Sequence, residues 1–248
     1  MLGLIGGTGL NKIKDLVVDS EENIDTPFGA MSSPIAICHL GNKKLAFIPR
    51  HGKEHSIPPH KINYRANIWG LNHLTVNEII SVATVGSIKN GITEGMLVIP
   101  DQIIDYTYDR EHTFFDGTDG DVKHVDFTYP FDQELRQRLL LASKKSEATI
   151  FEGGVYAAVQ GPRLESAAEI DRMEKDGVTI VGMTGMPEAA LARELSISYA
   201  SICPIANQAA GRGNSRDGIS HEEIKKQSLS MMDNVMTVIT NFVEQNDN

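Results

Sequence analysis

Thr184 is a candidate anion ligand because of the turn in which it stands, Gly182-Met183-Thr184-Gly185-Met186-Pro187-Glu188. The apolar residues 178–181 lead into this turn and predict a buried strand, and residues 189–194 have the spacing of a helix. The proline suits the first helical position, and the helix dipole favours the acid that follows it. Open α/β sheets bind ligands at the carboxyl ends of strands, where a hydroxyl can donate a hydrogen bond. The stretch is therefore either part of a ligand site or an ordinary strand-to-helix connection.

Other predicted strands end in residues that suit the same chemistry. A threonine among glycines, an arginine–histidine pair and a second threonine follow three apolar runs, in Gly6-Gly7-Thr8-Gly9, Pro49-Arg50-His51-Gly52 and Ala83-Thr84-Val85. Hydroxyls, backbone N–H groups, a guanidinium and an imidazole can together hold a free phosphate without a metal. Arg50 suits bidentate recognition of a phosphate or a carboxylate. The competing interpretations are a ligand-free tight turn at Thr8 and a solvated surface pair at Arg50 and His51.

Familiar nucleotide and metal motifs do not fit these turns. A dinucleotide fingerprint would need a third glycine at position 12, where Lys12 stands, and no Gly-x-x-x-x-Gly-Lys-Ser/Thr motif occurs. Cys38 and Cys203 lie in apolar runs without metal-ligand spacing, as expected of buried free thiols in a reducing compartment. We therefore expect no metal.

Composition narrows the class of protein. The net charge of -10 argues against a nucleic-acid partner and against an anionic membrane surface. No run reaches membrane-spanning length and the first residues do not form a signal peptide, so we expect a cytoplasmic protein. The 248 residues contain no linker, charge block or repeat, which favours one α/β domain over residues 1–248.

Alternating strand and helix patterns supply the elements that must position these residues. Strands are predicted at 2–5, 34–40, 44–48, 78–82, 96–99, 148–159, 178–181 and 199–206, and helices at 63–71, 132–145, 167–176, 187–194 and 220–243. Residues 101–131 form a long polar and aromatic loop, which is typical of a functional segment or a subunit contact. Gln160 to Glu165 and the residues from Asn207 onward are further loops after strands. Glu165 alone could be a surface acid near a helix start.

Taken together, these motifs resemble the trimeric purine nucleoside phosphorylases, and within them the methylthioadenosine and methylthioinosine phosphorylase branch. The resemblance covers nearly the whole chain and is carried by Gly6-Gly7-Thr8-Gly9, Arg50-His51-Gly52, Asn63-Tyr64-Arg65-Ala66-Asn67-Ile68-Trp69, Gln160-Gly161-Pro162-Arg163 and the stretch from Gly182 to Glu188. It implies a single-domain three-layer α/β fold, in which helices flank a central mixed, twisted sheet. It also implies a homotrimer with active sites near the subunit interfaces.

The activity that the resemblance implies is phosphorolysis. Phosphate attacks C1′ of a purine nucleoside and releases the purine, giving ribose 1-phosphate or its 5-methylthio analogue. The transition state is oxocarbenium-like, so a bound phosphate anion both stabilises it and attacks it. The leaving purine gains negative charge and needs a donor near N7. Inorganic phosphate is then a co-substrate, and no cofactor is expected.

The resemblance assigns roles residue by residue. The phosphate contacts are Thr8, Arg50, His51, Thr84 and Thr184, and the substrate contacts are Met183 against the ribose, Glu165 and Asn207 on the base, His124 lent by a neighbouring subunit, and His221 near the 5′ position. Catalytic roles are expected for Asn207, Glu165 and His51. The loop around His124 aligns less closely with the family pattern, and residues 208–220 are irregular, so the register at His221 can slip by a few residues.

The base-reading pair favours 6-oxopurines such as inosine, guanosine or S-methyl-5′-thioinosine. The Asn207 amide can donate to O6 or N7, and the Glu165 carboxylate can accept from N1–H, which adenine lacks. Family members that prefer adenine carry aspartate at the position of Asn207. His221 favours a 5′-hydroxyl, whereas the spelling of the 182–188 motif is similar to methylthioinosine phosphorylases, so the 5′ group stays open. The alternatives are an S-methyl-5′-thioadenosine phosphorylase, a nucleoside hydrolase, and a non-catalytic nucleoside-binding protein.

Overall fold

The computed structural model describes residues 1–7, 17–118 and 120–245, which form a mixed β-sheet with helices on both faces. The strands in this part of the chain are β1 (Leu2–Gly6), β2 (Val17–Glu22), β3 (Ile35–Leu40), β4 (Lys43–Pro49), β5 (Glu78–Val82), β6 (Val85–Ser87), β7 (Leu97–Ile99), β8 (Gln102–Tyr106), β9 (Ile150–Glu152), β10 (Val155–Val159), β11 (Ile180–Gly182) and β12 (Ser198–Gln208). The α-helices are α1 (Tyr64–His73), α2 (Gln133–Ser143), α3 (Ala167–Lys175), α4 (Gly185–Glu194), α5 (His221–Ser230) and α6 (Met232–Gln245).

The strands run in two directions. Their order is β2-β3-β4-β1-β5-β12-β6-β11-β10-β8, with β7 joining β12 to β9. Strands β4, β1, β5, β12 and β6 are mutually parallel, and β11, β10 and β8 are parallel to one another. The two sets meet where β6 and β11 pair antiparallel, at Ile180 opposite Ser87 and Val181 opposite Gly86. We call this β6–β11 junction the seam.

Alternation along the strands builds a core on each face of the sheet. Neighbouring buried residues such as Leu4 and Ile5, or Ile79 and Ile80, enter different apolar clusters, as side chains of period two must. The cluster containing Ile5 includes residues of α1 and α4, and the cluster containing Leu4 includes residues of α2 and α6. This arrangement confirms the predicted mixed sheet between helices.

Several predicted boundaries are wrong for identifiable reasons. The segment 102–106 is strand β8 rather than loop, because its polar residues lie at the end of the sheet beside β10. The predicted strand 148–159 is split into β9 and β10 by Gly153 and Gly154, whose φ values of +80° and +100° leave the extended region. Strand β12 extends through Asn207, and β2 was not predicted.

The predicted helix 220–243 is two helices, α5 and α6, which meet at Met231. They pack on different partners, since α5 lies against β12 and α6 against α2. The predicted cap at its start is present, because Ser220 Oγ accepts a hydrogen bond from the Glu223 amide. None of the helices in the described ranges is both long and apolar enough to cross a membrane.

Candidate active site

The seam explains how residues after oppositely directed strands come together. Because β6 and β11 are antiparallel, the carboxyl end of β11 lies beside the amino end of β6. Thr84 lies in the gap between β5 and β6, and Met183 and Thr184 directly follow β11. Two parallel strands would place their carboxyl ends at the same edge and would not produce this contact. The seam places the Thr84 gap and the Thr184 turn next to each other.

Arg50 is fully buried and paired with Glu188 of α4. Its Nε donates to Glu188 Oε2 at 2.7 Å, and its Nη2 donates to Glu188 Oε1 at 2.8 Å and to Ser81 Oγ at 2.7 Å. Nη1 donates to the Val82 carbonyl at 3.1 Å, and the Tyr199 hydroxyl donates to Glu188 Oε1 at 2.8 Å. The bidentate geometry predicted for Arg50 is therefore used by an internal carboxylate.

The buried pair still leaves Arg50 one donor. A guanidinium carries five N–H groups, of which this network uses four. The fifth is on Nη1, which lies 3.6 Å from the position that a Cβ on Gly7 would take, immediately before Thr8. Burial acts to lower the pKa of Arg50, but the Glu188 carboxylate outweighs it and raises the pKa above its usual value. The charge of Arg50 is thus held beside the end of β1.

His51 follows Arg50 as a neutral, oriented imidazole. Its Nδ1 lies 2.8 Å from the Ile57 carbonyl, which can only accept, so Nδ1 carries the hydrogen. Burial, followed by the charge of Arg50, lowers the pKa of His51 to about 4. The remaining nitrogen, Nε2, is then an acceptor. It can take a hydrogen bond from the hydroxyl of a monohydrogen phosphate or of a sugar.

The Thr184 turn is fixed by a tyrosine from the neighbouring strand. Thr184 is 5% exposed and its amide donates to Tyr156 Oη at 3.3 Å. Its hydroxyl makes no capping bond to α4, and Met186 has extended φ and ψ angles, so regular helix begins at Pro187 as predicted. Thr8, the other predicted hydroxyl contact of this group, lies outside the described residues.

Met183, which directly follows β11, and Glu165 lie in two turns that touch. The Met183 sulfur lies 2.5 Å from where a Cβ on Gly161 would be, so Gly161 has room for no side chain. Gly161 and Glu165 line a cavity of about 220 Å³ together with Tyr106, Tyr108, Val159, Gln160, Arg163, Glu169, Arg172 and Met173. Burial raises the pKa of Glu165 above its usual value. The cavity therefore has a carboxyl group in its wall.

Asn207 lies across the seam from these turns. It pairs with Gly86 in the β12–β6 ladder, and its Nδ2 is 3.4 Å from where a Cβ on Gly86 would be. Nδ2 donates to the Gln208 carbonyl at 2.7 Å, which leaves a second amide hydrogen for another acceptor. The chain thus brings Thr84, Thr184, Met183 and Asn207 around one junction.

His124, the first of the two remaining predicted histidines, lies in the segment beside the far end of α4. His124 is exposed, and the neighbouring Lys123 donates to the Glu194 carbonyl at the carboxyl end of α4. The regular part of α4, from Pro187 to Glu194, separates that end from the Thr184 turn by about 12 Å. His221 begins α5, which lies against β12, and its side chain lies outside the described part of the structure.

Sequence reasoning missed Arg110, a residue of the predicted long loop that contacts both turns. Its guanidinium donates to the carbonyls of Met183 and Met186 at 2.8 and 2.6 Å. It also donates to the carbonyls of Val159 and Gln160 at 3.1 and 2.8 Å. Among the many charges of residues 101–116, no sequence pattern distinguished it. No group of three or more His, Cys, Asp or Glu side chains able to hold a metal occurs in the described ranges.

Comparisons with known proteins match this geometry to one family. A sequence model of the Phosphorylase superfamily matches residues 1–244. The chain is 46% identical over 216 residues to a protein named "Probable S-methyl-5'-thioinosine phosphorylase" from Xanthomonas campestris pv. campestris, covering 87% of this chain and 86% of that protein. It is 39% identical over 245 residues to the 6-oxopurine nucleoside phosphorylase of Pyrococcus furiosus, covering 96% and 90%.

Solved structures agree with the sequence relatives. The methylthioadenosine phosphorylase of Schistosoma mansoni in complex with adenine superposes with a TM-score of 0.92 at 27% identity, covering 99% of this chain and 91% of that one. A methylthioadenosine phosphorylase from an antarctic soil metagenomic library gives 0.90 at 34% identity, covering 98% and 85%. The chain therefore belongs to the phosphorylase superfamily and is an enzyme of the nucleoside phosphorylase type.

Proposed function

We propose that this enzyme cleaves purine nucleosides by phosphorolysis and prefers 6-oxopurines. The observation that supports the proposal is the seam, which brings the Thr84 gap beside the Thr184 turn. The buried Arg50 guanidinium bonds to Val82, two residues before Thr84, and Glu165 lines a cavity by the adjoining turn. A phosphate bound by Thr8, Arg50, His51, Thr84 and Thr184 lies on one side of the scissile bond, and the purine on the other. Inorganic phosphate is the co-substrate.

Each remaining residue has a defined role in this reaction. Met183 contacts the ribose, and the Asn207 amide donates to N7 or O6 of the leaving purine as it gains negative charge. Glu165 accepts from N1–H when it is ionised, and the neutral His51 accepts from a phosphate or ribose hydroxyl. A hydrolase would need no anion site, so the Arg50 charge and the two hydroxyls favour phosphate over water as the nucleophile. Phosphate-dependent turnover distinguishes the two reactions.

The base preference rests on the amide of Asn207. Adenine presents a 6-amino donor and a bare N1, so an aspartate at this position would accept where asparagine donates. The relatives with which the chain shares 39–46% identity are named as 6-oxopurine and S-methyl-5′-thioinosine phosphorylases. The solved neighbours named methylthioadenosine phosphorylase support the alternative activity on S-methyl-5′-thioadenosine.

The experiment compares Asn207→Asp with the native enzyme on four nucleosides: inosine, S-methyl-5′-thioinosine, adenosine and S-methyl-5′-thioadenosine. Each is assayed with and without phosphate. We expect the native enzyme to favour the two 6-oxopurines, and the variant to shift the ratio of kcat/KM toward the 6-aminopurines by about 100-fold. Asn214→Asp, a change of the same chemistry outside the seam, is the control. Faster native turnover of the adenine nucleosides would refute the preference.

The 5′ group and the assembly belong to the same proposal. His221 near the 5′ position favours a hydroxyl, and a 5′-methylthio group is the alternative, which the ratio of inosine to S-methyl-5′-thioinosine turnover decides. The distance of His124 from the cluster fits a role in the site of a neighbouring subunit. We accordingly propose a cytoplasmic homotrimer, built from one phosphorylase domain over residues 1–248 and with active sites near its interfaces. Its mass in solution tests the trimer.

A further inference from the structure

We propose that Arg110 is a positioning residue for the nucleoside half of the site, holding the turn that carries Met183 at a fixed separation from the turn that leads to Glu165. The proposal rests on the function proposed above, in which these two turns contact the ribose and the base. Arg110 itself would touch neither substrate.

The Arg110 guanidinium donates hydrogen bonds to both turns. Toward the β11–α4 turn, Nη1 donates to the carbonyls of Met183 and Met186 at 2.8 and 2.6 Å. Toward the end of β10, Nη2 donates to the carbonyls of Val159 and Gln160, and Nε donates to Gln160 Oε1 at 3.1 Å. Four main-chain acceptors and one side-chain acceptor from two separate turns thus share one planar group.

The two turns have no regular ladder beyond the strands that precede them. The β10–β11 pairing ends at Ala158 opposite Gly182. Past that point the turns touch through the Met183 side chain against Gly161, and Arg110 supplies their polar connection. Arg110 thereby links the two segments by hydrogen bonds beyond the point where the β10–β11 pairing ends.

Tyr64 of α1 holds the Arg110 guanidinium through its hydroxyl and its ring. Its hydroxyl accepts from Nη1 at 3.2 Å and donates to the Pro59 carbonyl at 3.0 Å, and the guanidinium carbon lies 5.5 Å from the centre of its ring. The tyrosine therefore limits the tilt of the guanidinium. The separation of the two turns then depends on the fork of one arginine.

A lysine cannot replace Arg110 in bonding to both turns. Its ammonium is a point donor with three hydrogens, whereas the arginine fork presents five in a plane and reaches acceptors on two opposite sides. Losing the fork leaves carbonyls of both turns without partners and lets the turns shift. A displacement of about 1 Å between groups that orient a substrate can cost about 100-fold in rate.

Arg65 of α1 provides a matched control because it contacts the loop that carries Arg110. It contacts Glu111 at 3.2 Å and Asp116 at 3.6 Å, and donates to the Thr113 carbonyl at 3.4 Å. It therefore anchors the loop that carries Arg110 but makes no hydrogen bond to either turn. A variant at Arg65 tests whether loop anchoring alone accounts for the effect.

The experiment measures Arg110→Lys, Arg110→Met and Arg65→Met in the full-length protein, each well below its own Tm. For both Arg110 variants we expect kcat/KM for inosine to fall by about 100-fold, with the KM for phosphate changed less than about threefold. Arg65→Met should lower Tm but leave kcat/KM for inosine, relative to the KM for phosphate, near the native value. Activity restored by lysine would show that charge suffices and would overturn the proposal. Equal losses at Arg65 would overturn it as well.

Hydrogen exchange gives a readout that does not depend on turnover. The amides of residues 160–165 and 183–186 should exchange faster in the Arg110 variants than in native enzyme or Arg65→Met, because their turns have lost a common partner. Unchanged exchange there refutes the positioning role even if the native protein fails to use phosphate. If Arg110→Met does not fold, Arg110→Lys decides by the same two measurements. Absence of phosphate-dependent turnover in native enzyme would instead reject the proposed function.

Discussion

Replacing Glu188 by glutamine is the sharpest test of how Arg50 is held. Both side chains of the pair are 1% exposed, so neither charge is solvated when the other is removed. Glutamine has nearly the same volume, so no cavity is created. Its amide group instead places an N–H against one of the Arg50 donors and removes the compensating charge. Breaking a buried pair in this way typically costs 3–5 kcal/mol, and we expect about 4 kcal/mol.

Thermal and urea unfolding at a fixed protein concentration would measure this loss. For a chain of this length, about 4 kcal/mol corresponds to a Tm lower by about 10 °C. The exposed pair of Lys53 and Glu21, at 2.6 Å, is the control. Glu21→Gln should cost less than about 1 kcal/mol, because water solvates either charge alone. A Glu188→Gln protein within 1 kcal/mol of native would refute the reasoning.

The double variant Arg50→Met/Glu188→Met separates stability from ligand binding. Removing both charges avoids the penalty of one buried charge without a partner, since apolar side chains of similar volume often replace a buried pair at little cost. The hydroxyls of Ser81 and Tyr199 lose their carboxylate partner, which costs about 1–3 kcal/mol for each group left unsatisfied. A folded double variant should nevertheless show a strongly raised KM for phosphate. An unchanged KM would remove Arg50 from the phosphate site.

Two further predictions concern His51 and Gly182. Because burial lowers the pKa of His51 to about 4, the unfolded chain binds a proton between pH 6.5 and 4 that the folded chain does not. Stability should therefore fall by up to about 3 kcal/mol as the pH drops through this window, and His51→Gln should flatten that part of the curve in urea unfolding; an identical curve would contradict the shift. Gly182→Ala places a methyl group against Tyr156 Oη and 2.9 Å from Val85 Cγ1. It should cost about 1–3 kcal/mol and, by displacing the tyrosine that holds Thr184, weaken phosphate binding, whereas Gly177→Ala, in open space at a φ of +87°, should leave the KM for phosphate unchanged.

Most helices and strands could be predicted from the sequence, because apolar runs and helix caps are local signals. Asn63 and Asp132 cap α1 and α2 where the pattern changes, and both accept a hydrogen bond from an amide three residues later. Strand direction is not a local signal. The antiparallel β6–β11 pair sets β11, β10 and β8 opposite in direction to β6, and no residue of Val85–Ser87 or Ile180–Gly182 indicates this reversal.

The chemistry of individual side chains was harder to predict than their location. Arg50 was recognised as a residue for binding a carboxylate or phosphate, but its partner lies 138 residues away. Without contact information, no spacing rule links Arg50 to Glu188, which was interpreted as a helix-start residue. The role of Arg110 was not predicted for a related reason. Its acceptors are main-chain carbonyls, and these have no sequence signature.

The distance along the chain between Arg50 and Glu188 has a consequence for biosynthesis. Strands β1, β4 and β5 emerge from the ribosome before α4, so the Arg50 guanidinium and Ser81 have no carboxylate partner until Glu188 has been synthesised. Burying that charge without its partner would cost several kcal/mol. Packing of the first half of the sheet around Arg50 is therefore unfavourable before Glu188 is available. Contacts of such large sequence separation are also slow to form. The anion pocket around Arg50 therefore forms only after synthesis has passed Glu188, and a nascent chain shorter than this should not bind phosphate there.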